Sequence, residues 1–266
     1  MRRFFLISVI FLMTMVFLAC GKKADSNVLT VGATPEPHAA MLKLIADDLK
    51  AEGITLKIVE FTDYVTPNRA LEDGQLDANF FQHLPYMKDQ NREMGYHLVN
   101  AGSTHIEPIA LYSKKISSLA DLADGATIVI PNDPTNEGRA LLLLQSAGLI
   151  TMDPSANIMS TSFDIVSNPK KLKFSEIEAA SLPRILPDVD AAIINGNYAL
   201  GAGIDDTVLV TEDKDSDAAQ TYANLVAVKA GHENDEKIVA LVNALKTEEV
   251  RAFIEETYGI SVVPMF

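Results

Sequence analysis

The chain has one cysteine, no tryptophan and few basic side chains, with 22 Lys and Arg against 36 Asp and Glu. A single cysteine excludes an internal disulfide, so stability has to come from packing. The formal net charge of −14 argues against nucleic acid or anionic headgroups as partners, because both are held by basic patches, and none is legible here. Also missing are the G-x-S-x-G elbow, the H-E-x-x-H pair and a phosphate loop. The five histidines are scattered, with no His-rich loop. These absences give no catalytic signature, and the chain reads as a non-enzyme with no cofactor and no metal.

What is present starts at the N-terminus. Arg2 and Arg3 precede an uncharged apolar run of 16 residues, Phe4 to Ala19. That is short for a spanning helix, which needs roughly 20 residues, but it suits the core of an export signal. The run ends at Leu18-Ala19-Cys20-Gly21, so residues 1–19 read as a lipoprotein signal peptide and Cys20 as the acylated residue. Phe17 stands where such signals usually carry Leu. Residues 20–27 read as a lipidated tether. Without Arg2 and Arg3 the remainder carries 20 basic against 36 acidic side chains. The lipid alone, and no polybasic stretch, must then hold it to the cell membrane, facing the periplasm or exterior.

From Val28 onward two periods alternate. Val28 to Ala33 reads as a buried strand, and Met41, Leu44, Ile45 and Leu49 recur at helical spacing before Gly53. Ile54, Leu56 and Ile58 alternate as a strand, a short helix stops at Gly74, and Asp77 to Phe81 is a third strand. His105 to Ser113, Ala126 to Pro131, Val189 to Ile194 and Ala223 to Lys229 follow as strands. Asn136 to Ala147, Asp235 to Leu245 and Glu248 to Tyr258 read as helices. Strands alternating with helices at this pace predict an α/β fold. The last two helices have no place on one sheet ending at Lys229, so two lobes are predicted. Residues 28–112 with 220–266 would form the first and 113–219 the second, leaving a cleft between them.

Three clusters could line that cleft. Asn79-Phe80-Phe81-Gln82-His83-Leu84-Pro85-Tyr86 crowds aromatics with His and Gln at a strand end, which suits a pocket wall; residue types alone leave core packing equally open. In Pro131 to Arg139, Thr135 or Asn136 can cap a helix and Arg139 would fall in its first turn. A cation there opposes the helix dipole, which makes sense beside a bound carboxylate, although a surface ion pair remains open. On this reading, removing Arg139 would leave ligand-free stability almost unchanged. Asn195 and Asn224 lie at strand ends, where an amide needs partners from backbone or from a zwitterion.

Together these segments resemble one family. Phe61-Thr62-Asp63-Tyr64, Asp77 to Tyr86, Glu107-Pro108-Ile109-Ala110-Leu111-Tyr112-Ser113, Pro134-Thr135-Asn136 with Arg139, and Ile194-Asn195-Gly196-Asn197-Tyr198-Ala199 are similar to the methionine-binding lipoproteins of bacterial ABC importers. The resemblance implies a type II periplasmic-binding-protein fold, with each lobe a mixed sheet flanked by helices. Two crossover strands would join the lobes, around Tyr112 and around Ala219 to Leu225. It also implies that L-methionine is clamped between the lobes and delivered to a permease and ATPase complex by a monomeric protein. Arg139, near Asn136, would hold the α-carboxylate. Asn195 and Asn224 would bond the head group, with Asn197 an open alternative to Asn195. Tyr64, Phe81, His83 and Tyr86 would line the thioether slot. Alternative occupants are D-methionine, another apolar amino acid or a short methionine peptide. A metal-binding lipoprotein using His83, His105 and Glu107 is the rival of a different class.

Overall fold

The computed structural model describes residues 27–215 and 220–266. The signal peptide and Cys20 lie outside the described residues, as do 20–26 of the tether and Ala219 of the second crossover.

In the first lobe, β1 (Val28–Ala33), β2 (Thr55–Glu60) and β3 (Ala78–His83) run parallel, and β4 (Leu98–Ile106) follows. The helices between them are α1 (Ala40–Leu44), α2 (Ala46–Ala51), α3 (Thr66–Glu72) and α4 (Leu84–Met94). In the second lobe come β5 (Ala110–Tyr112), β6 (Thr127–Pro131), α5 (Pro134–Ser146), β7 (Thr151–Met152), β8 (Ile165–Ser167) and β9 (Lys173–Ile177). They are followed by α6 (Leu182–Ile185), β10 (Ala191–Ile194), α7 (Gly196–Ala202) and β11 (Val208–Thr211). The chain then returns to the first lobe with β12 (Asn224–Lys229), α8 (Glu236–Ala244), α9 (Glu248–Tyr258) and β13 (Val263–Pro264).

Two sheets result, ordered β13-β4-β12-β3-β1-β2 and β11-β5-β10-β6-β9. Both are mixed: β12 runs antiparallel to β3 and β4, and β5 antiparallel to β10. The period of two along β10 explains its uniform burial. Ala191 and Ile193 face one apolar cluster with Ile128 and Leu144, while Ala192 and Ile194 face another with Val129 and Leu182. A strand covered on both faces reads as a continuous apolar run. The C-terminal helices find their place on the first sheet, where Ile238, Leu241, Val250 and Ile254 join the core of Leu29, Val31 and Phe80. Among the described residues no helix is long and apolar enough to cross a membrane.

Three sequence expectations shift. The strand expected over His105 to Ser113 is two strands, because β4 ends at Ile106 in one sheet and β5 begins at Ala110 in the other. Residues 107–109 therefore form the first crossover, and Ala110–Tyr112 lies in the second sheet, ahead of the expected boundary at 113. Asp133, and not Thr135 or Asn136, caps α5, with its carboxylate accepting from the Asn136 backbone N–H at 3.0 Å. Pro134 then opens the helix, where its missing N–H costs nothing, and Arg139 falls beyond the first turn.

Candidate functional site

The carboxyl ends of β3 and β10 meet across the gap between the sheets, and a small, partly open cavity of about 20 Å³ lies there. The residues that the family resemblance assigns to the ligand all line it: Tyr64, Phe81, His83 and Tyr86 from the first lobe, Asn136, Arg139 and Asn195 from the second, and Asn224 from β12, whereas Phe80 packs into the first-lobe core. Gln82, Glu107, Gly196 and Asn197 complete the lining.

The first-lobe wall is aromatic. Phe81 leaves β3 toward the cavity, and Tyr86 sits in the first turn of α4. Tyr64 closes the group, its ring 5.8 Å from both Phe81 and Tyr86. The Tyr86 hydroxyl donates to the Tyr64 carbonyl at 2.9 Å. His83 caps α4: the Tyr86 backbone N–H donates to its Nδ1 at 3.2 Å. The ring proton therefore sits on Nε2, which donates to Asn136 Oδ1 across the cleft at 3.2 Å. Burial, with Arg139 nearby, lowers the His83 pKa to about 3, so the ring is neutral. Gln82 reaches the cavity edge while its amide is bound with Asn68 and Asn79 in a buried network behind this wall.

The second-lobe wall is polar. Asn136 spends both ends of its amide on the protein, donating to Asp133 at 3.0 Å and accepting from Asn195 Nδ2 at 2.9 Å. Asn195 Oδ1 is buried with no partner among the described residues. Asn197 Oδ1, by contrast, accepts from the Tyr64 hydroxyl at 2.5 Å and so ties the lobes together. Asn224 Oδ1 accepts from His38 Nε2 at 3.2 Å, which leaves its NH2 as a donor.

Arg139 is buried, and its guanidinium is already paired. Nε and Nη2 donate to the two carboxylate oxygens of Glu212 at 3.0 and 2.5 Å, and Nη2 also donates to the Glu107 carbonyl at 2.9 Å. The guanidinium carbon lies 4.1 Å from the centre of the Tyr222 ring. Burial opposes the charge, but Glu212 outweighs it and holds the pKa above its ordinary value. One carboxylate expected at Arg139 thus belongs to the protein, and Nη1 is the donor left for the cavity. Arg139 also touches both crossovers, through Glu107 and Tyr222.

Sequence reasoning missed Glu212 and Tyr222. It named Glu107 only as a metal ligand, beside His105 and His83. His83 is instead bound to Asn136. The third member of the buried cluster is His38, whose Nε2 lies 3.1 Å from Glu107 Oε1, with His105 Nε2 at 2.8 Å. These three groups are spaced closely enough to hold a metal ion. Their hydrogen-bonding demands are also met by one another, and by Thr34 and Thr104 on the two Nδ1 atoms.

The profile of the NlpA lipoprotein family matches residues 29–266. The chain belongs to that family. A relative from Pasteurella multocida, named probable D-methionine-binding lipoprotein MetQ, is 46% identical over 87% of this chain and 84% of its own. The methionine-binding lipoprotein MetQ of Bacillus subtilis is 38% identical, with 100% of this chain and 99% of its own covered. Among solved structures, a nutrient-binding protein from Burkholderia cenocepacia bound to methionine is 45% identical. It has a TM-score of 0.84 and covers 90% of this chain and all of the other. The two-lobed α/β architecture is that of the family's periplasmic-binding-protein type, as the sequence led us to expect.

Proposed function

We propose that this member of the NlpA family captures methionine between its lobes and delivers it to an ABC importer. One observation carries the reading: a buried amide oxygen, Asn195 Oδ1, stands without a partner among the described residues, in a cavity that has an aromatic box on its opposite wall. Buried acceptors are satisfied in native proteins, and a ligand donor would satisfy this one. The thioether would lie among Tyr64, Phe81 and Tyr86, where sulfur–aromatic contacts contribute about 0.3–1.5 kcal/mol each. The α-carboxylate would meet Arg139 Nη1 and the Asn224 NH2, with Asn195 bonding the head group. Support comes from the names of the relatives and from the methionine in the Burkholderia cenocepacia structure.

Isothermal titration of ligand-stripped protein with L-methionine and D-methionine tests this. Saturable one-site binding of either enantiomer is expected; binding of neither, by protein that melts cooperatively, would refute it. The partners would be a permease and ATPase complex, approached by a monomer anchored through Cys20. Cys20→Ala should abolish labelling with radioactive palmitate, and retained label would remove the anchor.

A further inference from the structure

We propose that Val65 and Phe163, one on each lip of the cleft, are the apolar contacts by which the closed protein docks on the outward-facing surface of the importer's permease. This rests on the importer reading above and adds the surface that the importer reads. The sheet orders fix where the lips are. The crossovers join β4 and β12 of the first sheet to β5 and β11 of the second, while β2 and β9 are the edge strands on the far sides. β2 runs parallel to β1 and β3, and β9 runs parallel to β6, as does β10. The carboxyl ends of β2 and β9 therefore flank the cleft mouth opposite the crossovers. Val65 stands between β2 and α3, next to Tyr64 of the aromatic wall, and is 54% exposed. Phe163 is 95% exposed, on a turn fastened to Glu176 near the end of β9.

Single exposed apolar side chains are common on protein surfaces; these two differ in how they are held. Asp63 Oδ1 accepts from the backbone N–H groups of Val65 and Thr66 at 2.8 and 2.7 Å. On the other lip the Thr161 N–H donates to Asp164 Oδ2 at 2.7 Å, and the Asp164 N–H returns to the Thr161 carbonyl at 3.0 Å. Ser162 donates from its backbone N–H to Glu137 Oε1 and from its hydroxyl to Glu176 Oε1, both at 3.1 Å. The chain ahead of it lies directly on α5, where a Cβ on Gly138 would stand 2.3 Å from the Ile158 carbonyl oxygen. An aromatic ring on a backbone fixed in advance offers a large apolar contact at a small ordering cost. Glu137 also follows Asn136, which His83 reaches across the cleft at 3.2 Å. The Phe163 turn is thus fastened to the part of the second lobe that meets the first, and its separation from Val65 follows lobe closure. A partner that tells loaded protein from empty must interact differently with the two states, and a foothold on each lobe does that. The side chains that hold the two residues, Asp63, Glu137, Asp164 and Glu176, are all acidic. On a chain with a net charge of −14 they oppose a second copy or an anionic bilayer at the mouth. They favour a partner with apolar pockets rimmed by basic side chains.

The test uses the organism's own permease and ATPase complex in proteoliposomes, titrated with methionine-loaded protein while ATP hydrolysis and methionine uptake are followed. Wild type should stimulate both saturably. Phe163→Ser should raise the protein concentration for half-maximal stimulation at least about tenfold, and Val65→Ser about threefold, in keeping with the apolar area each would bury. Both variants should bind L-methionine in calorimetry within about twofold of wild type. Ile260→Ser removes a 77% exposed side chain beside β13, at the opposite edge of the first sheet, and should leave stimulation within about twofold. Half-maximal stimulation by Phe163→Ser at the wild-type concentration would overturn the proposal. So would a wild-type dimer in light scattering that Phe163→Ser dissolves, which would give the residue to a second copy. Binding of Cys20→Ala protein to phosphatidylglycerol vesicles that is lost with Phe163→Ser would give it to the membrane and overturn the proposal equally. Wild type that binds L-methionine yet never stimulates the importer would instead count against the importer reading, and remove this surface with it.

Discussion

The two walls of the cleft work by different physics. The first-lobe wall is a ring of aromatic side chains held by packing and by one cap, His83. The second-lobe wall is a chain of amides and a paired guanidinium held by directed hydrogen bonds. Packing against a thioether is tolerant and additive, whereas a buried charge network fails as a unit. The aromatic wall should therefore set which side chain fits, and the polar wall whether a head group is held and the lobes stay shut.

The largest break is expected on the polar wall. Arg139→Ala should weaken L-methionine binding by at least roughly 100-fold, from the lost charged hydrogen bonds. It should also destabilise the ligand-free protein by about 3–5 kcal/mol, because Glu212, only 12% exposed, is left without its cation. The sequence alone suggests that stability would hardly change; the Glu212 pair reverses that expectation. Thermal melts of ligand-free variants check it, and a melting temperature within a degree of wild type would show that the pair contributes nothing.

Acid should act through the first lobe, which supplies all three buried histidines. His38, His83 and His105 have folded pKa values of about 4, 3 and 3, below the ordinary 6.5. A depressed histidine binds its proton more readily when unfolded, so its contribution is complete above pH 6.5 and is lost as pH falls toward 4. Each group adds a slope of up to about 1.4 kcal/mol per pH unit in that window. Burial raises the Glu107 pKa, which offsets a share at the acid end. Denaturant titrations from pH 7 to 4 should show steadily falling stability; a flat profile would mean that these rings are not neutral and buried.

A smaller effect is expected where the walls meet. Tyr64→Phe keeps the aromatic box but removes the 2.5 Å bond to Asn197, and should cost about 1 kcal/mol of binding, mainly as faster release. Stopped-flow release rates equal to wild type would show that the bond does not hold the lobes shut. The smallest belongs to the aromatic wall itself. Phe81→Leu should weaken L-methionine by only about two- to tenfold, the scale of one sulfur–aromatic contact, while competition assays show norleucine losing less. A larger loss would mean that the slot is as specific as the polar wall.

How legible each wall is in the sequence follows from this difference. The aromatic wall is local: Phe81, His83 and Tyr86 sit within six residues at one strand-to-helix junction, so their types and order announce it. The cap of α5 was also readable, since Asp133 precedes Pro134 and proline favours the first helical position. The polar wall is assembled over distance. Arg139 finds Glu212 73 positions away, in an acidic stretch whose composition resembles a solvated linker. Glu107, in the first crossover, finds His38 in the helical segment Pro35–Ala39 that follows β1. β4 was missed from Leu98 to Thr104 because Asn100, Gly102 and Ser103 interrupt the apolar alternation, and Val99 to Ser103 is at most part-buried. Nothing local marks a residue whose partner is supplied by topology.

The most direct measurement is a crystal structure of the protein with L-methionine. The account predicts the thioether among Tyr64, Phe81 and Tyr86, the carboxylate at Arg139 Nη1 and the Asn224 NH2, and the ammonium at Asn195 Oδ1. A ligand lying the other way round, with its thioether against the amides and its head group among the aromatic rings, would contradict it.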